Sequence, residues 1–169
     1  AARTSRPKIH RLLPEFLVDF PALPNLNTVR TVDHQNDWSS FLEQLHVDDS
    51  VPAVDWCAPG SRAGAVALHE FLSDRFATYA AARNDPNEDG QSNLSPYLHF
   101  GQLSAQRVAL SVLNHVRAPV NEVMAADRNG SATESAAAAF LEEVIVRREL
   151  SDNFCLYNPD YDSPEGFAD

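Results

Sequence analysis

Polar side chains crowd a short stretch of the sequence, QSNLSP, at residues 91–96. Ser95 followed by Pro96 is typical of a helix start, with serine as the N-cap and proline at the first helical position. The backbone N–H groups at such a start have no partner within the helix, so they can bind a phosphate with help from Ser92 and Asn93. An ordinary capped helix without a ligand would show the same pattern, and these residues alone leave both interpretations open.

A carboxylate and two guanidinium groups form a second candidate cluster in EEVIVRREL, residues 142–150. Glu143 and Arg147 are four residues apart, which places them on the same face of a helix, and Arg148 is adjacent. In a cleft, the carboxylate could accept hydrogen bonds from a nucleobase while an arginine binds phosphate or stacks on a base. On an open surface the same residues would be a solvated ion pair that contributes about 0.3–0.5 kcal/mol. Composition does not choose between the two.

The residues after QSNLSP are predicted to anchor its helix. Leu98 and Phe100 supply apolar packing, and Gly101 supplies a helix stop. His99 lies among apolar neighbours, where a lone histidine is more often a packed or surface residue than a catalytic one. We therefore assign it no chemistry.

Helices are the elements that position both clusters. Apolar residues recur at spacings of three and four, which predicts an amphipathic helix that begins at Ser61 and reaches about Arg83, where NDPNEDG ends it. The residues of its apolar face are Ala65, Leu68, Leu72, Phe76 and Tyr79. This helix brings Tyr79 and Arg83 to the edge of the loop before the first cluster.

Two further helices follow. Ser104 can cap a helix that is apolar along one side and ends at Pro119. Ser131 and Glu134 have capping-box spacing and predict a helix that continues to near Tyr157 and contains the second cluster. Since no alternating strand pattern competes with these helices, we predict an all-α domain.

Composition limits the class of protein. The 169 residues suffice for one domain core, and no apolar run approaches the roughly 18–20 residues that cross a bilayer. The N-terminus has no apolar secretory segment. The net charge of −11 argues against nucleic-acid binding over the whole surface, so any DNA contact needs a local basic patch. Cys57 and Cys155 lack metal-ligand spacing and are predicted to be buried free thiols in a reducing compartment.

Residues 1–60 are predicted to be an irregular connector, because six of the eleven prolines interrupt them. Within this connector, Ser40 and Glu43 have capping-box spacing and predict one short helix. We therefore divide the chain into a linker with short helices, 1–60, and a helical domain, 61–169.

Three segments, taken together, resemble one known family: YAAARNDP, GQSNLSPYLHFGQLSAQR and FLEEVIVRRELSDNFCLYN. They occur in the order found in the front half of the flavin-binding helical domain of class II cyclobutane pyrimidine dimer DNA photolyases. The string LSPYLHFG is shared more widely among photolyases and cryptochromes, whereas RRELSDNF is more particular to class II. The N-terminal RPKIHRLLPEFLVDFP resembles the family's passage out of its α/β antenna domain.

The resemblance implies light-driven repair of cyclobutane pyrimidine dimers, by electron transfer from a non-covalent, reduced anionic FAD to a dimer flipped out of UV-damaged DNA. Glu143 matches the carboxylate that faces the dimer and would be the catalytic residue, while Arg147 and Arg148 fall in the segment that faces lesion and DNA. No metal is implied. The residues matched to FAD binding, mostly through its phosphates and ribityl chain, are Tyr79, Gln91, Ser92, Asn93, Leu94 and Ser95.

The resemblance also implies that residues 61–169 are the N-terminal part of the helical FAD-binding domain and that residues 1–60 lead from an antenna domain. We expect the antenna domain, the remaining helices and the tryptophan electron relay to lie outside this chain, which would then be inactive in isolation. Trp38 and Trp56 precede the flavin motif and are predicted to be buried packing residues. The parent protein is expected to be an intracellular monomer, with neither its antenna chromophore nor its compartment indicated.

Two other functions remain open. A cryptochrome-like photoreceptor would keep FAD but signal through partners, so retained flavin without light-dependent loss of dimers would favour it. A helical interaction module without a cofactor is compatible with the acidic net charge.

Overall fold

Helices form the regular structure of this protein. The computed structural model describes four stretches of the chain, residues 2–22, 37–45, 50–126 and 131–167. No strand occurs within these stretches, which confirms the all-α prediction. Contacts divide the chain into two units, one of residues 1–19 with 59–169 and one of residues 20–58.

Nine α-helices lie in the described stretches. In chain order they are α1 (Ala2–Phe16), α2 (Trp38–Glu43), α3 (Ser61–Glu70), α4 (Tyr79–Ala82), α5 (Ser95–His99), α6 (Ala105–Val116), α7 (Val120–Ala125), α8 (Ala132–Leu141) and α9 (Arg148–Tyr157). A π turn (Phe71–Arg75) and a 3-10 turn (Phe76–Thr78) join α3 to α4, and a second π turn (Glu142–Arg147) joins α8 to α9. Two continuous helical rods result, and a 3-10 turn at Pro164–Phe167 follows them.

The first π turn changes the buried face of the rod from α3 to α4. Gly64, Leu68 and Phe71 are buried at helical spacing, whereas the next buried aromatic residue, Phe76, comes five residues after Phe71. A π turn accommodates that extra residue, because its hydrogen bonds span one residue more than those of an α-helix. The predicted apolar face was therefore partly wrong, since Ala65 is exposed and Gly64 takes its place.

Aromatic rings form the centre of the core. The ring centroid of Phe71 lies 5.0 Å from that of Phe140 and 5.5 Å from that of Tyr79, and Phe76 lies 5.6 Å from Phe71. All four side chains are buried. Because Phe140 belongs to α8 and the others to the first rod, this cluster holds the two rods together, and each ring pair adds about 0.5–1.5 kcal/mol to the burial of its area.

Two predicted helix starts are confirmed. The Ser104 hydroxyl oxygen accepts a hydrogen bond from a backbone N–H in the first turn of α6. Ser131 and Glu134 form both bonds of the predicted capping box at the start of α8. As predicted, the α6 helix does not pass Pro119: it ends before Arg117, which is left-handed (φ 56°), and Pro119 is the N-cap of α7.

The N-terminal segment is more helical than its prolines predicted. α1 continues through Pro7 and Pro14, although each removes a backbone donor. Leu13 of this helix is buried, and α1 packs against α7 within the first unit. Tertiary packing of an apolar side therefore outweighs the local preference against proline.

In the second unit, α2 begins earlier than predicted. Asp37 is the N-cap and accepts a hydrogen bond from the Ser40 backbone N–H at 3.1 Å, so the predicted capping box of Ser40 and Glu43 is wrong. Both tryptophans, Trp38 and Trp56, are exposed, and the prediction that they are buried is also wrong. None of the described residues of this unit is buried, so this part of the chain provides no core to receive them.

The cysteine prediction is wrong for Cys155, which is exposed on α9, while Cys57 is half-buried. α9 has no buried residue, and only Leu150 and Phe154 of this helix are half-buried. Among the described residues, every helix is too short or too polar to cross a membrane.

Candidate functional site

Close backbone packing holds the loop between α4 and α5. Gly90 is buried against the last residue of α4, where an added Cβ would lie 2.6 Å from a carbonyl carbon, so the approach requires glycine. The Gln91 side chain donates a hydrogen bond to the Arg83 carbonyl oxygen. Asn93 has a left-handed backbone (φ 57°), which asparagine adopts more readily than most residues, and Leu94 is fully buried. These contacts fix the backbone of the loop and therefore the positions of its polar side chains beside the start of α5.

Ser95 is the first residue of α5, and its predicted role as N-cap is wrong. Leu94 is the N-cap, with φ −90° and ψ −9°, and no side chain of the described residues caps this end. The left-handed turn at Asn93 brings Leu94 into a helical conformation one residue early. Pro96 accordingly occupies the second helical position, and the Ser95 hydroxyl is left exposed.

The end of α5 confirms the predicted glycine stop. Gly101 has φ 65°, and its N–H donates to the Leu98 carbonyl oxygen at 3.3 Å, while the N–H of Gln102 donates to that of Tyr97 at 2.8 Å. These two bonds define a Schellman motif. The tight turn places the start of α6 close to α5.

A cavity of about 690 Å³ lies between the start of α5, the start of α6 and the end of α8 with its π turn. We call it the α5–α6–α8 cavity. Four predicted site residues line it, from both clusters: Ser92, Ser95, Glu143 and Arg148. The rest of its wall is formed by Leu98, His99, Ser104, Ala105, Gln106, Phe140 and Val144.

The other predicted cofactor residues lie outside this wall. Tyr79 is buried in the aromatic core, 5.3 Å between centroids from Phe140, which does line the cavity. Leu94 is buried below the start of α5, and Gln91 and Asn93 are exposed on the preceding loop. The structure thus places Tyr79 and Leu94 where they support the wall.

Burial raises the pKa of Tyr79 above its ordinary value, although a hydrogen bond with Arg83 opposes this shift. With a raised pKa, the folded chain keeps this proton where the unfolded chain has lost it. The stability that this group contributes is then complete below about pH 10 and is lost as the pH rises through the folded-state pKa. Ultraviolet difference titration of wild type and of Tyr79→Phe measures this pKa. The transition that is present in wild type and missing from Tyr79→Phe is expected above the ordinary tyrosine range. A missing transition within that range would contradict the prediction.

Glu143, in the second π turn, is bound by two arginines. Arg83 donates from Nη1 to Glu143 Oε1, and Arg147 Nε lies 3.1 Å from Oε2. The pair of Glu143 with Arg147 was predicted from its spacing. The partner from the first rod was not. The Arg83 guanidinium also lies over the Tyr79 ring, 5.9 Å from its centroid, so the aromatic core and the ion pairs are contiguous.

Arg148 has a different environment from Arg147. It lines the cavity and pairs with Asp152 at 3.4 Å and with Glu149 at 3.9 Å. Arg147 does not line the cavity and reaches it only through Glu143. The two adjacent arginines are therefore not equivalent.

Three polar side chains on the wall were not predicted as site residues: His99, Ser104 and Gln106. His99 is exposed and packs edge-on against Phe100, at 4.8 Å between centroids. A signal was present in the sequence for Ser104, which was predicted as the cap of α6, but that pattern did not show that α6 starts beside α5.

The described geometry is that of a helical domain with a cavity of mixed polar and apolar lining between the starts of α5 and α6 and the end of α8. No protein-family model matches the chain. Three curated relatives, each named deoxyribodipyrimidine photo-lyase, align with nearly all of it. The protein of Potorous tridactylus is 41% identical over 99% of this chain, that of Arabidopsis thaliana 42% over 98%, and that of Oryza sativa subsp. japonica 39% over 98%.

The chain belongs to the deoxyribodipyrimidine photolyase family. It spans about three-tenths of the length of these relatives, 29%, 32% and 31% respectively. The resemblance to photolyases found from short motifs is thus supported by alignment along nearly the whole chain, while class II stays a prediction.

Proposed function

We propose that this chain forms one side of an FAD site and of a lesion-binding cleft in a class II cyclobutane pyrimidine dimer photolyase, which repairs UV-damaged DNA by light-driven electron transfer. One observation carries the proposal. Ser92 and Ser95, predicted to hold the cofactor, share a cavity wall with Glu143, predicted to face the lesion. Family membership supports the same reaction.

The wall suits a flavin nucleotide. The volume of the α5–α6–α8 cavity falls within the roughly 300–1,000 Å³ that is typical of small-molecule sites. Hydroxyl groups and the start of the twelve-residue helix α6, with Ser104 at its cap, offer hydrogen-bond donors to phosphate oxygens. Leu98 and Val144, both half-buried on the wall, offer apolar surface to a planar ring. Bound there, FAD would supply the light absorption and the electron that split a pyrimidine dimer.

Each residue then has a distinct task. Ser92 and Ser95 bind polar groups of the cofactor and hold it against the start of α5. Glu143 accepts hydrogen bonds from the base edge of a dimer that has left the duplex stack. Arg147 and Arg148 supply the guanidinium groups that contact lesion and DNA phosphates on a chain with a net charge of −11.

Ser95→Ala is expected to weaken FAD binding, because it removes one hydroxyl from the cavity wall without changing the helix. The loss of one hydrogen bond predicts a dissociation constant about 2–10 times larger. Quenching of flavin fluorescence on titration of the chain with FAD measures it. Ser73→Ala, at an exposed serine outside the cavity wall, is the matched control. Equal affinities of Ser95→Ala and wild type would contradict the assignment.

The reaction itself is tested in the full-length protein, by loss of dimers from irradiated DNA in light and in darkness. Light-dependent loss supports repair. Retained FAD without such loss would favour a photoreceptor. A folded, helical chain that binds no FAD, alone or at full length, would favour a cofactor-free interaction module.

A further inference from the structure

Both carboxylate oxygens of Glu143 are engaged by arginines, and one of these arginines comes from a distant part of the chain. Arg83, at the end of α4, binds Oε1. Arg147 lies one turn after Glu143 in the same π turn and binds the other oxygen. We propose that Arg83 is the positioning residue of Glu143: it holds the carboxylate in the orientation in which it meets the lesion. This inference rests on the proposed function of Glu143.

Arg83 is itself fixed in place, as a positioning residue must be. Its backbone N–H donates to the Tyr79 carbonyl oxygen at 3.0 Å, and its own carbonyl oxygen accepts from the Gln91 side chain. Its guanidinium lies over the Tyr79 ring, in the aromatic core. Backbone and side chain are therefore both anchored, to α4 and to the loop that precedes α5.

The two arginines differ in exposure. The Arg83 side chain is 22% exposed, whereas that of Arg147 is 62% exposed. Solvent and salt weaken an exposed ion pair and leave its long side chain free to move. Arg83 is therefore the partner that determines the orientation of Glu143, with Arg147 in a minor role.

Glu143 needs such a partner because of where it lies. It is the second residue of a π turn, where the backbone departs from regular α-helical geometry, and its side chain is partly exposed. Without a fixed partner the carboxylate would sample several rotamers, only some of which face a bound dimer. By holding one rotamer of Glu143, Arg83 removes the entropy cost of ordering this side chain from lesion binding and from the reaction.

The variants Arg83→Gln, Arg83→Lys and Arg75→Gln test the proposal in the full-length protein. We expect Arg83→Gln to lose about tenfold in affinity for a dimer-containing duplex, with FAD content unchanged. Arg83→Lys should recover part of the loss, since its ammonium can reach one oxygen. Arg75 is the matched control, because its side chain is 24% exposed, pairs with Asp89 and lies outside the cavity wall, so Arg75→Gln should change the affinity less than threefold. A loss of the same size in Arg75→Gln as in Arg83→Gln would overturn the proposal.

A double variant separates positioning from direct contact with DNA. If Arg83 acts through Glu143, then Arg83→Gln adds no further loss in the Glu143→Gln background. A further loss there, or no loss from Arg83→Gln alone, would overturn the inference while leaving the role of Glu143 intact.

A measurement on the chain itself does not depend on repair. The Arg83 guanidinium resonances should show hindered rotation in wild type, and Glu143→Gln should abolish it. A wild-type protein that repairs no dimers would remove the proposed function, and these resonances would still decide whether Arg83 holds Glu143. Free rotation in wild type would overturn the positioning role in either case.

Discussion

Phe140→Ala is expected to lower the free energy of unfolding by about 3–5 kcal/mol, as large-to-small aromatic substitutions in cores do. The Phe140 side chain is 2% exposed and lies within 6.5 Å, between ring centroids, of Phe71, Phe76 and Tyr79. Alanine would leave a cavity where the two rods meet. Since domains are stable by only about 5–15 kcal/mol, this single change should bring the protein close to unfolding at room temperature.

Urea denaturation followed by circular dichroism measures this loss. Phe100→Ala is the matched control, since Phe100 is 73% exposed and its removal should change stability by less than about 0.5 kcal/mol. Because Phe140 also lines the α5–α6–α8 cavity, the variant that remains folded should bind FAD more weakly. Equal midpoints for Phe140→Ala and wild type would show that the aromatic cluster does not hold the rods together.

Local signals predicted the helices well. The capping box of Ser131 with Glu134, the cap at Ser104 and the stop at Gly101 each depend on a few adjacent residues, and all three are confirmed. The prolines of the first segment led to a wrong prediction of an irregular connector. α1 contains Pro7 and Pro14, and it is stabilised by packing against distant residues, which the local sequence does not show.

The π turns could not be predicted from periodicity. A spacing of three and four was extended through Phe76, which assigned Ala65 to the buried face. Gly64 and Phe76 can lie on the same buried face because the π turn after Phe71 adds one residue to the helical repeat. A single sequence does not reveal where a helix will widen, because the preference for a π turn is set by tertiary contacts.

The candidate site was predictable in its parts and unpredictable in its assembly. Ser92, Ser95 and Glu143 could be singled out by residue type and by resemblance, and the structure brings them to one wall. The ion pair of Arg83 with Glu143 joins residues that are sixty positions apart, and no local pattern indicates it. Likewise, the left-handed turn at Asn93, which moves the cap from Ser95 to Leu94, depends on how the loop packs.

Glu143→Ala is expected to reduce repair of dimers by the full-length protein about 10- to 150-fold, while FAD content stays unchanged. The factor corresponds to the loss of hydrogen bonds to one charged group, about 1.5–3 kcal/mol. The carboxylate is the group on the cavity wall that can accept hydrogen bonds from a base edge with full negative charge. Flavin absorbance per protein and the rate of dimer loss under constant light separate the two effects.

The choice of control decides what a loss of repair means. Glu122→Ala removes an exposed glutamate from α7, outside the cavity wall, and should leave repair within about twofold of wild type. Glu143→Gln keeps the shape and one acceptor oxygen, so its loss should be smaller than that of alanine. If glutamine and alanine lose activity equally, negative charge is what the lesion requires. If neither loses activity, Glu143 holds Arg83 and Arg147 together and the lesion is bound by other residues.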